Sequence, residues 1–486
     1  MSAQTRRAAG ENFTYRRLGQ HAVKGASQPV EIFELLDAAA ARPRRVAERL
    51  RMLLTRVAFQ ETCLTVGASL GLVAAFYLLT LIRPPTEPTP EEVAREMGFA
   101  AAVSQVNGEK DPRVEAALYT ALENCRRRND EACELGPMAG LRVMHTLRGE
   151  FDEAEQCARR MLEIAARRGN RTWLAGAHCH MGNALDARGA VVEAIKHYDQ
   201  GLAIAEQAPV KFLDMYEDPR PTCTALSAMP LVRAGYIDQA RRRVARSLEL
   251  AHGSDDQYTL ALSIHICILA YVHLYDPASA TPAAEMEEES RWLDEGLALA
   301  DHRGYAKIGH ELKRLRAAGW YFSGDPERGI KGLRALGESF EAAVDEGFYR
   351  GGKYIYPALK YLEPFDTNSD LMRLRGELWL RAVPPREREA EECLRRAIAI
   401  AEGYGEKFLQ LQAAFKLSQL LTRQGKLEEA RDALHPIYSW FTEGFDTPWM
   451  VRAKKLLDEL DVKIAARNVS HADPHVSKKD GGLAVS

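Results

Sequence analysis

A glycine followed, after four residues, by an alanine recurs along this chain at the start of apolar stripes. The copies are Gly149-Glu-Phe-Asp-Glu-Ala154, Gly189-Ala-Val-Val-Glu-Ala194, Gly235-Tyr-Ile-Asp-Gln-Ala240 and Gly425-Lys-Leu-Glu-Glu-Ala430. A weaker copy is Gly324-Asp-Pro-Glu-Arg-Gly329, and a glycine-less one ends in Ala390. Most of these alanines open an apolar stripe at i, i+4, i+8 and i+11, such as Ala194/Tyr198/Leu202/Ala205, Ala240/Val244/Leu248/Ala251 and Ala390/Leu394/Ile398/Ala401. That spacing predicts amphipathic helices. Glycine lets the chain turn out of one helix, and the small alanine lets the next cross it closely. The first turns recur at intervals of 40 and 46 residues (149, 189, 235), which predicts a stacked array of helix hairpins. A composition of 46% hydrophobic and 27% charged residues supports a core of that size. The net charge of −3 gives no global case for nucleic-acid binding.

Met181-Gly182-Asn183-Ala184-Leu185, Gly189 and Ala194-Ile195-Lys196-His197-Tyr198 resemble a tetratricopeptide repeat, with longer spacing than that family's usual period. No clean copy falls in 252–290. Leu374-Arg375-Gly376-Glu377-Leu378, Gln424-Gly425-Lys426 and the run from His435 to Thr447 resemble the C-terminus of multidomain bacterial regulators. Those proteins carry a class III adenylate/guanylate cyclase, an ATPase and tetratricopeptide-like repeats. At the other end, Leu18-Gly19, Val23-Lys24-Gly25 and Pro29-Val30-Glu31-Ile32-Phe33 resemble the closing strands of the cyclase domain. Independently, Val30, Ile32 and Leu35 at near-alternate spacing predict a half-buried strand. The chain departs from that architecture between these ends. No G-x-x-x-x-G-K-[ST] loop occurs, and no metal-binding aspartate pair or purine-reading residue can be assigned.

Thr62 to Ile82 contains 21 residues without a charge. At about 1.5 Å per residue it would span roughly 30 Å, one hydrocarbon core. Gly67, Gly71 and Ala75 form a small-residue ridge suited to close approach of a second such helix. Arg42, Arg44, Arg45, Arg49, Arg51 and Arg56 precede the span, whereas Arg83 alone follows it closely before Glu87, Glu91 and Glu92. This bias places the N-terminus in the cytoplasm and the repeats outside the inner (cytoplasmic) membrane. The seven cysteines beyond the span carry no disulfide or zinc spacing and pull against that placement. Residues 44–58 predict a basic amphipathic helix. Thr89-Pro90-Glu91-Glu92 reads as a helix start, with Thr89 as cap.

Chemistry-bearing residues are sparse. His178 and His180 lie two apart, so a helix points them about 200° from each other and they cannot share one ion. His265 and Cys267 fail the same test. The carboxylates Asp255-Asp256 and Glu285, Glu287, Glu288 and Glu289 read as solvated surface. Cys125 and Cys133 flank a helix-to-helix turn and, if this region lies outside the membrane, are candidates for a disulfide. Trp440-Phe441 and Phe445 read as a hydrophobic cap closing the array. No catalytic, cofactor-binding or metal residue is assigned.

The expected architecture is mainly α. Residues 1–37 are a cyclase-like β-hairpin remnant, 38–61 a basic juxtamembrane helix and 62–82 a transmembrane helix. A Pro-rich linker covers 83–91, a tetratricopeptide-like α-solenoid 92–462 and a disordered tail 463–486. The expected function is a membrane-anchored interaction or sensory module in cyclic-nucleotide signalling. Its expected partners are a protein or peptide on the solenoid surface, the membrane, and a second copy through Gly67/Gly71/Ala75. The alternative is the C-terminal portion of an active cyclase whose catalytic core lies upstream of Met1.

Overall fold

The computed structural model describes residues 14–21, 30–37, 88–107, 111–207, 220–271, 274, 285–322, 325–336 and 368–472. These form two strands and seventeen helices. The expected membrane helix at 62–82, its ridge Gly67/Gly71/Ala75 and the basic helix at 38–61 lie outside the described residues. Among the described residues no helix is long and apolar enough to cross a membrane. The chain divides into two compact units, Met1–Cys157 and Ala158–Ser486.

In the first unit, β1 (Thr14–His21) and β2 (Val30–Asp37) pair antiparallel, with Arg17 opposite Phe33 and Gly19 opposite Ile32. The register slips between Arg17 and Gly19. Helices α1 (Pro90–Asn107), α2 (Pro112–Arg127) and α3 (Glu131–Arg148) follow. The predicted capping box forms: the Thr89 amide donates to Glu92 Oε2 at 3.0 Å, and the Glu92 amide to Thr89 Oγ1 at 3.3 Å. Asp130 caps α3 by accepting from the Cys133 amide at 3.2 Å. Cys125 and Cys133 form a disulfide across that turn, with Cα atoms 5.4 Å apart. Val93, Ala121 and Cys125 make the small core beneath it. Gly149 then turns left-handed (φ 79°) into α4 (Phe151–Arg168), within which the division between units falls.

The second unit continues the repeats. Its helices are α5 (Arg171–Ala187), α6 (Val191–Glu206), α7 (Arg220–Ala234), α8 (Ile237–His252) and α9 (Gln257–Tyr271). Then come α10 (Glu285–Arg303), α11 (Ala306–Phe322), α12 (Pro326–Ala335), α13 (Ser369–Arg381) and α14 (Glu387–Tyr404). The last are α15 (Lys407–Arg423), α16 (Leu427–Tyr438) and α17 (Pro448–Ala472). The turn glycines 189, 235 and 425 all adopt positive φ, as their role requires. Ala154, Ala194, Ala240, Ala390 and Ala430 are fully buried, so the small-residue crossings form where the stripes predicted them. At the best repeat, a Cβ on Gly182 would lie 3.0 Å from the Tyr198 ring. Gly182 is therefore what lets α6 lay its aromatic on α5.

Three expectations change. The region without a clean repeat contains α9, most of whose residues are buried, with apolar side chains on more than one face. Asp256, read as solvated, caps it by accepting from the Tyr258 amide at 3.0 Å. Residues 463–472, expected in a disordered tail, are helical instead, and the rest of that stretch lies outside the described residues. Helix α17 runs to Ala472, with Leu457 and Leu460 buried and Arg467 paired to Glu428.

Candidate functional site

The hairpins of the second unit do not only stack in order. Helix α7 also packs on α15, almost two hundred residues further along. Two pairs of glycine turns interlock alongside that contact. At the first, a Cβ on Gly189 would lie 3.2 Å from the Tyr404 ring, and one on Gly405 would lie 3.0 Å from Val192 Cγ2. Each turn thus receives a side chain from beside the other. The second repeats this arrangement: a Cβ on Gly235 would lie 2.7 Å from Phe441, and one on Gly444 2.7 Å from Ile237. Only glycine satisfies both the left-handed backbone and the close approach here. Arg241 bonds Asp446 at 3.0 Å beside the second interlock.

A buried charge cluster lies between the interlocks. Arg233, in the last turn of α7, donates through Nη2 to a carboxylate oxygen and, at 3.2 Å, to the carbonyl of Asp186 on α5. Its Nη1 donates to Glu406 Oε1 at 3.3 Å, and Ser369 Oγ donates to Glu406 Oε2 at 2.6 Å. Burial pushes both carboxyls above their usual range, and Arg233 opposes that shift. One guanidinium therefore serves two buried carboxylates, and α5, α7, the α14–α15 turn and the start of α13 meet on it. A second cluster joins α13 to α15: Lys416 Nζ lies 2.9 Å from Glu377, which also pairs with Arg373. Lys416 sits 5.3 Å above the Trp449 ring of α17.

The rim of this seam is apolar and open. Val192 is 43% exposed, Tyr404 37%, Trp440 39% and Phe445 46%. Trp440 stacks beside Tyr236 at 5.8 Å, and Phe445 beside Tyr438 at 6.0 Å. The predicted cap of Trp440, Phe441 and Phe445 is therefore not the end of the array. Phe441 is buried against Gly235 and, at 6.2 Å, Phe408, and α17 follows it. The aromatics close a seam with the middle repeats, a role no local pattern encodes.

The weighed histidines separate as the helix geometry demands. His178 faces His197 on α6, with Nδ1 atoms 3.0 Å apart. Burial and that neighbour lower His178 to about 4. Burial also lowers His265. Among the described residues no group of three or more His, Cys, Asp or Glu gathers as a metal site. Sequence reasoning missed Arg233, Asp186 and Glu406. Their only local signal was position beside a turn glycine, where an Arg at a helix end ordinarily serves the dipole.

No family model matches this chain, and no curated protein does. Solved structures do. A Rap protein complexed with competence and sporulation factor is 12% identical, covering 78% of this chain and 99% of its own, with a TM-score of 0.36. The Rap conjugation gene regulator of plasmid pLS20, in complex with the Phr* peptide, is 9% identical over 78% and 98%, with a TM-score of 0.31. Yeast Tom70 is 12% identical over 80% and 99%, with a TM-score of 0.26. At these scores the fold assignment rests on the chain's own helix order and turn geometry.

Proposed function

We propose that this chain is a protein-interaction module built of helix-hairpin repeats, and that a protein or peptide seats on the apolar rim of its seam. The observation that carries this reading is the placement of Val192, Tyr404, Trp440 and Phe445, four large exposed apolar side chains along the two interlocks. Clustered exposed aromatics mark interaction surfaces more than scattered ones do. A photo-crosslinker placed at Trp440 should capture a defined partner in cells. The same group at Glu392, exposed on α14, should not, and W440S/F445S should abolish capture. Equal capture from both positions sinks the reading.

The finer reading places the module in cyclic-nucleotide signalling, anchored to the membrane through residues 62–82. Its support is the uncharged 21-residue stretch and the closing-strand pattern at 13–36. Reporter fusions after residue 472 test the anchor: an active periplasmic reporter is expected, and an active cytoplasmic one overturns that topology. Cyclic-nucleotide levels in cells with and without the chain test the signalling context.

A further inference from the structure

Beyond partner binding, we propose that His178 and His197 form a two-imidazole site for a divalent transition-metal ion, with copper(II) the tightest. The pair comes from two helices, His178 from the middle of α5 and His197 from the second turn of α6. Their Nδ1 atoms lie 3.0 Å apart and their ring centroids 5.2 Å, with the planes tilted by 35°. Metal–imidazole bonds are about 2.0–2.1 Å, so two nitrogens on one ion at near-tetrahedral or square angles stand roughly 3 Å apart. The observed separation matches that bite.

The backbone holds that bite. Gly201 lies four residues after His197 on α6 and faces α5 directly. A Cβ there would lie 2.8 Å from the Ala175 carbonyl, 3.1 Å from Cys179 Sγ and 3.2 Å from His178 Cβ. The helices therefore approach as closely as backbone allows, and the rings project from rigid elements rather than loops. His178 is partly exposed, so an ion and its remaining water ligands have access. Burial and the His197 ring are what act on His178. Two imidazole nitrogens suit borderline metals over magnesium or calcium, and the general order of stability puts copper(II) first.

The two Nδ1 atoms lie within hydrogen-bond reach of each other. Coordination through both requires that neither Nδ1 carries a proton, so each neutral ring must hold its proton on Nε2.

Titration calorimetry of the full chain with copper(II), nickel(II) and zinc(II) at pH 7.5 tests the site. One saturable equivalent is expected, with copper(II) tightest and affinities in the micromolar range. H178Q and H197Q should each weaken binding at least tenfold while retaining the wild-type helical circular dichroism. The Gly201→Ala variant should weaken it too, by forcing the helices apart. Equal affinity in wild type, H178Q and H197Q overturns the site. No saturable binding by the folded wild type overturns it as well.

Discussion

Arg233 on α7 donates to Glu406 at 3.3 Å across 173 residues of sequence, and the same guanidinium holds Asp186. This places one cation between two buried carboxylates at the point where the middle repeats meet the C-terminal helices. Removing the cation strands both charges. Arg233→Met should destabilise the second unit by about 3–5 kcal/mol, the usual cost of breaking a buried ion pair from one side. Urea unfolding followed by circular dichroism measures it. A loss under 1 kcal/mol would mean the cluster does not hold the seam.

Glu406 carries an opposite expectation in acid. Its carboxyl is raised above the ordinary 4.5, first by burial. A group raised in the folded state contributes stability that is present below its unfolded pKa and is lost as pH rises through the folded one. Glu406→Gln keeps the contacts to Arg233 and Ser369 but cannot titrate. From pH 4.5 toward 7, wild type should therefore lose stability relative to E406Q. Parallel pH profiles for the two proteins refute this.

The interlocks can be separated from backbone strain by comparing two glycines of one unit. Gly425 has φ 77° with nothing near a Cβ, whereas Gly235 has φ 94° with Phe441 at 2.7 Å. Gly425→Ala should cost about 1–2 kcal/mol, the left-handed penalty alone. Gly235→Ala should cost about 1–3 kcal/mol more, the usual range for overpacking. Chemical denaturation of both variants reads the difference, and equal losses would disprove the seam contact.

The Cys125–Cys133 disulfide closes a short loop in the first unit. Loop-closure entropy makes that bond worth about 2–3 kcal/mol. Alkylation of the denatured, unreduced protein should leave both cysteines unlabelled. The double C125S/C133S variant should lower the stability of α2 and α3, read by hydrogen exchange. Full labelling of both thiols before reduction would show that the bond does not form.

Membership of the seam could not be read locally. Trp440 and Phe445 were recognisable as apolar residues near the end of the array, and so suggested a cap. What Trp440 covers, together with Phe441, is the Gly235 turn, about two hundred residues away. Likewise the sequence sets His178 beside His180, but its structural partner is His197. Cys125 and Cys133 were recognisable together because the turn that joins them is itself local.

Helix spacing, glycine turns and buried alanines are short-range properties, set by backbone sterics and a 3.6-residue period, and the sequence alone determined them. The repeat array of the second unit follows from them almost position by position. Only the tertiary structure decided that α13–α17 fold back on α5–α8. That choice depends on turns fitting turns, on one arginine between two carboxylates and on rings filling the space that glycines leave. Each half of such a contact obeys its own local rules, and neither half carries a mark of the other.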